Sequence, residues 1–288
     1  MRGLADCGPA PMIPRMGGTK IFRAAARGIL FVSLTASIVL GARRDLEAQG
    51  ADAKALIAKV VEEAGGEGAL REKRDVEYTY LYRRAGTGAV DLSLERYVFD
   101  GEKSWARYRV HEGVHPSGPG PVVQGYDGQS TWQTVARMKS TDETSLTRAD
   151  FLRKTNFYWF TMTFKLLDPG LRYSYAGKRK VGATTYEVVK VGFDQGIGDV
   201  SDTYVLYINP KTWRVDQFLF TVLDFGKKDP FMMEVEYERV DGVLLPTKRR
   251  YTPSDWSGNL PKDAEWTDEI SIGIRFNNGF EPPLFQAP

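Results

Sequence analysis

Residues 202–222 read DTYVLYINPKTWRVDQFLFTV. Tyr204, Leu206 and Ile208 fall on every second position, Asn209-Pro210 marks a turn, and a second β-rich run follows. That is the pattern of a strand pair joined by a tight connection. The same period of two extends on both sides. Met233, Val235 and Tyr237 alternate with Glu234, Glu236 and Glu238, and Ile270, Ile272, Ile274 and Phe276 alternate with Ser271, Gly273 and Arg275. Such runs predict half-buried strands with one wet face. Asp100-Gly101, Asp127-Gly128 and Asp241-Gly242 supply further hairpin turns. About ten or eleven strands are expected from residue 75 onward, too many for a flat sheet, so strong curvature is expected with them. Long helices between strands are missing, which argues against parallel βαβ architecture.

Two segments depart from this period. Residues 52–65 (DAKALIAKVVEEAG) place Leu56, Ile57, Val60, Val61 and Ala64 on one helical face, and Gly65-Gly66 ends the pattern. Residues 148–167 (RADFLRKTNFYWFTMTFKLL) predict a second helical or irregular excursion. Its centre, FYWFTMTF from Phe157 to Phe164, is flanked by Lys154 and Lys165 and reads either as core or as a hydrophobic lid or membrane-touching patch. The Pro/Gly stretch HPSGPGP at 115–121 reads as a loop. The fold class expected is thus mainly β (α+β). A strongly curved antiparallel half-barrel sheet carries an N-terminal amphipathic helix, and the second excursion covers its concave face.

The N-terminus is different in kind. Residues 1–50 carry seven Lys/Arg and three acids, a net of +4; the formal charge of the chain is +2, so the rest carries −2. Lys20, Arg23 and Arg27 precede the uncharged apolar run ILFVSLTASIVLGA at 29–42, and small residues follow. This predicts an exported, periplasmic protein whose signal peptide is cleaved between about 41 and 50. The division expected is 1–50 for signal peptide and extension, and 51–288 for one domain. Residues 1–15 do not suit a signal peptide, and Met16 gives a tidier start. The single cysteine, Cys7, precedes the apolar run, so no lipid-accepting cysteine, disulfide or thiol chemistry is expected in the mature chain. Its slightly acidic balance gives no pull toward nucleic acid.

Motifs for chemistry are sparse. His111-Glu112-Gly113-Val114-His115 matches H-E-x-x-H, which binds zinc when a helix brings both histidines to one face. Here strand-like sequence precedes it and Pro116 follows it; in extended chain the imidazoles would stand about 13 Å apart. No metal or cofactor is expected. There is no G-x-S-x-G elbow and no phosphate-binding glycine fingerprint; GFDQGIG at 192–198 lacks the required order. The basic run Lys248-Arg249-Arg250 reads as a solvated edge.

The order of elements is itself informative. A helix over 52–66, strands with D-G turns, the aromatic excursion near Phe157, the strand pair at 202–222 and the closing IRFNNGFEPPLFQAP at 274–288 together resemble the LolA/LolB-like superfamily of periplasmic lipoprotein carriers. The resemblance spans about residues 52–285. It implies a half-open β-barrel, closed by helices over an acyl-binding cavity, and a carrier or sensor without catalysis. Its partner would be an acylated lipid or lipoprotein, with membrane-embedded donor or acceptor proteins and outer-membrane lipoprotein sorting as the wider role. Trp105, Trp132, Phe157, Trp159, Phe160 and Phe164 are the candidate ligand-lining residues. The chain is longer than a typical LolA carrier, and the family's hallmark arginine has no assigned position here. An exported hydrolase using paired carboxylates on an envelope polymer remains the alternative.

Overall fold

The strand pair at 202–222 forms as expected, at one side of a single large sheet. The structure is a computed structural model; it describes residues 50, 52–114, 120–194, 202–223 and 226–288. The signal-peptide reading, His115 and most of the 115–121 loop lie outside the described residues. In chain order the strands are β1 (Asp75–Arg83), β2 (Val90–Val98), β3 (Lys103–His111), β4 (Val122–Tyr126), β5 (Thr131–Val135) and β6 (Met138–Lys139). After a long helix come β7 (Leu171–Val181), β8 (Thr184–Phe193), β9 (Tyr204–Asn209), β10 (Arg214–Val222), β11 (Lys227–Val240), β12 (Val243–Pro253) and β13 (Thr267–Phe276). All thirteen belong to one antiparallel sheet, ordered β6-β5-β4-β3-β2-β1-β13-β12-β11-β10-β9-β8-β7. The sheet is curved and open, a half-barrel with edges at β6 and β7. The four dipeptide turn signals each close a hairpin.

Helix α1 (52–64) precedes the sheet. It stops where the sequence predicts, because Gly65 and Gly66 take φ of +124° and +94°. Their N–H groups reach back to the Glu62 and Val61 carbonyls at 3.0 and 2.9 Å, a Schellman pair that satisfies otherwise orphaned acceptors. Helix α2 (Glu143–Lys165) connects edge strand β6 to edge strand β7. A connection between opposite edges must cross one face of the sheet, and α2 crosses the concave one. The Asp142 side chain caps it by accepting from the Ser145 N–H at 2.8 Å. At its other end Lys165, favourable near a helix C-terminus, pairs with Glu102 and Asp168 at 2.5 and 3.2 Å.

The core lies between this helical layer and the concave face. Ala53, Ile57, Val60 and Val61 of α1 and Trp159 and Met162 of α2 pack on Leu206, Ile208, Phe218, Phe220 and Met233. A second cluster joins Phe157, Phe160 and Phe164 to Val76, Tyr78, Tyr97 and Leu245. The expected alternation holds in β11, where Met233 and Val235 point inward. In β9 both faces are buried, because the loop between β12 and β13 covers its outer side. There Arg179 donates to the Ser257 carbonyl at 3.1 Å, and Trp266 packs beside Tyr207 and Met232.

Two expectations fail for identifiable reasons. In β13, Glu269 and Ser271 face inward, whereas Ile272 is 54% exposed on the outer face. A register shift against β1 between Glu77 and Thr79, next to Gly273 at φ +67°, then turns Ile274 and Phe276 inward. A bulge has broken the phase that periodicity assumes. The basic run 248–250 is no edge: β12 lies between β11 and β13. Lys248 and Arg250 do reach outward, to Glu236 and Glu234, but Arg249 is buried.

Candidate functional site

Helix α2 meets the concave face in two chemically distinct ways. Its first half carries Arg153, on the same helical face as Ala149, Asn156, Phe157 and Phe160. The Arg153 side chain is fully buried. It donates to Glu95 at 2.6 and 3.3 Å, to the Tyr108 hydroxyl at 3.0 Å and to the Gln124 side-chain oxygen at 3.2 Å. Glu95 is also fully buried and accepts from Ser93 at 2.6 Å and Tyr97 at 3.0 Å. Gln124 passes the network on by donating to Gln133 at 2.8 Å. Strands β2 to β5 thus supply one polar partner after another, because alternate residues point inward at matching register. Burial alone would drive a proton off Arg153, but the Glu95 carboxylate outweighs it and raises the pKa.

The second half of α2 is buried nearly all round. Trp159, Phe160, Thr161, Met162, Thr163 and Phe164 are consecutive buried residues, enclosed by the sheet below and α1 beside them. Phe160 stacks on Tyr78 with centroids 4.8 Å apart, and Trp159 meets Phe220 edge-on at 5.2 Å. One polar contact sits at the junction. Arg249, buried in β12, donates to the Trp159 backbone carbonyl at 2.9 Å and to Glu269 at 2.9 Å. Beneath it, Tyr78 donates to Tyr97 at 2.7 Å. Burial, and then the nearby Glu95 carboxylate, push both phenols well above the usual tyrosine range.

The candidate lining residues therefore separate. Phe157, Trp159, Phe160 and Phe164 lie together on α2 against the concave face. Trp105 and Trp132 lie on the opposite, outer face, because in β3 and β5 it is Ala106, Tyr108 and Gln133 that point inward. Trp132 lies over Gly125, where an added Cβ would come within 2.5 Å of the ring, and its indole N–H donates to the Phe285 carbonyl at 2.7 Å. The Arg96 guanidinium sits 5.1 Å from the Trp105 ring and 5.0 Å from Phe280. Both tryptophans belong to a seam held under the C-terminal segment. That segment is tied down by Asp75, which accepts from the N–H groups of Asn278 and Gly279 at 2.7 and 2.8 Å.

Arg153, Glu95 and Glu269 were not singled out in the sequence, and Arg249 was read only as part of a solvated basic edge. For Arg153 a signal exists: it falls on the apolar stripe of α2, where a charge is unexpected. His111 ends β3, and its Nε2 lies 3.0 Å from the Gly120 carbonyl oxygen. Among the described residues, no three His, Cys, Asp or Glu side chains are grouped to hold a metal ion, and no helix is long and apolar enough to cross a membrane.

A family described as of unknown function, DUF6503, matches residues 130–242. Among solved structures, the chain is similar to a DUF1329 family protein from Desulfovibrio piger, with 13% identity and a TM-score of 0.50 over 81% of this chain and 97% of that one. The resemblance to the LolA/LolB-like superfamily is one of fold. A putative outer membrane lipoprotein-sorting protein domain from Vibrio parahaemolyticus matches at 10% identity and a TM-score of 0.47, over 82% and 97% of the two chains. A LolA superfamily protein from Nitrosomonas europaea matches at 12% and 0.47, over 79% and 96%. No curated protein matches the chain.

Proposed function

We propose that the protein is a periplasmic, non-catalytic carrier or sensor that holds an acyl chain of a lipid or lipoprotein between α2 and the concave face. The observation that carries this reading is the division of α2. An acyl chain can replace ring-to-ring contacts at little cost, because both are apolar. It cannot replace the bonds to Arg153, since a charge left unpaired in the interior is expensive. The polar half therefore anchors the helix, and the aromatic half, Phe157 to Phe164, yields to the guest. The Arg249 bond to the Trp159 carbonyl marks the boundary. Each acyl CH₂ buried adds about 0.8 kcal/mol.

The buried carboxylates do not favour the hydrolytic alternative, since each has a structural partner. Glu95 serves Arg153, Glu269 serves Arg249, Asp75 holds the C-terminal segment, and Asp91 accepts from the Gly113 and Val114 N–H groups. A second reading, an interaction module, is favoured by the closely filled concave face. Mass spectrometry of lipids extracted from the purified protein, with titration of a fluorescent fatty acid, separates the two. Co-purifying acyl species and saturable binding that Trp159→Ala alters are expected of a carrier. If no acyl species co-purifies and the fatty acid does not bind, the carrier reading falls and the module stands.

A further inference from the structure

The outer face of the sheet has three zones. The loop between β12 and β13 covers β8 to β11, and the C-terminal segment covers β2 to β5 near Trp105 and Trp132. Between them lies an aliphatic strip. Ile272 is opposite Thr79, which is opposite Leu94; Ile270 is opposite Leu81, which is opposite Leu92. These five aliphatic side chains belong to none of the buried clusters. Leu94 also lines a polar cleft of about 520 Å³ with Arg107, Arg109, His111, Gly120 and Pro121. Arg107 pairs with Leu94 across β3 and β2, and a register shift beside Leu92 leaves Arg109 opposite no residue. Both arginines are exposed, and neither joins an ion pair among the described residues.

Two uncompensated guanidinium groups beside an aliphatic strip match an anionic headgroup beside hydrocarbon. A second copy of this chain is a poor occupant. A two-fold contact through the strip would bring each pair of arginines toward its own symmetry mate. We propose that this cleft and strip dock the outer face on a bilayer containing anionic phospholipid, with Arg107 and Arg109 binding headgroup phosphate and Ile272 and Leu94 meeting the acyl boundary. The site is independent of the contact between α2 and the concave face.

Flotation with vesicles tests this, using an equal mixture of phosphatidylglycerol and phosphatidylcholine against phosphatidylcholine alone. Binding is expected only to the mixture, and it weakens with added sodium chloride. Arg107→Gln with Arg109→Gln should weaken it by about fivefold per arginine. Ile272→Ser should weaken it at unchanged charge, while Lys54→Gln on α1 should leave it unaltered. All variants are exposed-site changes, checked by thermal unfolding, and the arginine pair should keep fatty-acid binding intact. Equal binding to both vesicle types, or binding indifferent to the arginine pair, overturns the proposal. So does loss of vesicle binding in inorganic phosphate but not in chloride of equal ionic strength, which would mark a small-anion site instead. Loss of fatty-acid binding alone would count against the carrier reading and not against this one.

Discussion

The two halves of α2 lie on the same sheet, yet they are held by opposite means. Around Arg153 the contact is a network of directional bonds in which every partner is satisfied. Around Trp159 it is mostly ring packing, with the Arg249 bond at its margin and a Tyr158–Tyr204 hydroxyl contact beside it. The difference teaches that a helix can be fixed in register at one end and exchangeable at the other. Directional bonds specify one geometry, whereas apolar contacts accept any apolar substitute of similar volume.

The largest expected effect comes from breaking the polar half. Arg153→Met strands Glu95 in the interior and should cost about 3–5 kcal/mol in urea unfolding. Adding Glu95→Met should recover much of that loss, since replacing both members of a buried pair with apolar groups is often near neutral. If the single and double variants are equally unstable, the network is not what holds this half. Phe160→Ala should cost about 3 kcal/mol, at the lower end for such truncations. The comparison sharpens when fatty acid is added: it should raise the melting temperature of Phe160→Ala more than that of Arg153→Met, because only the former has lost contacts that a chain can remake. Asp142→Ala removes the α2 cap and should cost about 1 kcal/mol, with no change in fatty-acid affinity.

The smallest effect lies off the helix. Burial alone would raise the Glu77 pKa, but hydrogen bonds from Arg96 and Arg275 more than offset it and hold the carboxyl below its usual range. Its contribution is complete above the ordinary carboxylate pKa and is lost as pH falls through the lower folded value. Acid titration of Glu77→Gln should therefore show a shallower loss of stability below about pH 4 than the parent chain. An equal slope would leave Glu77 without a role in acid sensitivity.

Most of the fold was legible because period and punctuation agree. The D-G and N-P turns lie where the hairpins are, and Gly65-Gly66 stops α1. Legibility failed where a bulge shifted phase, as between Ile272 and Ile274. It also failed where a loop from elsewhere covered a face that alternation leaves wet, as over Tyr207. At the site, composition pointed to Phe157, Trp159, Phe160 and Phe164 but could not assign a face to Trp105 or Trp132, because that depends on which side α2 crosses. Arg249 was hidden inside a basic run whose neighbours do face solvent. Only the inward phase of β12 and the presence of Glu269 across the ladder distinguish it.

The pairing of β1 with β13 sets an order of assembly. Every other neighbour in the sheet is also the neighbour in sequence, so β1 to β6 and β7 to β13 are each runs of local hairpins. The seam between the two runs is long-range: Arg83 meets Asp268 across 185 residues. Closing it carries the largest loop-entropy cost in the fold, and such contacts form late. The sheet is thus two half-sheets tethered by α2, and the pairing of β13 with β1 alone makes them one half-barrel.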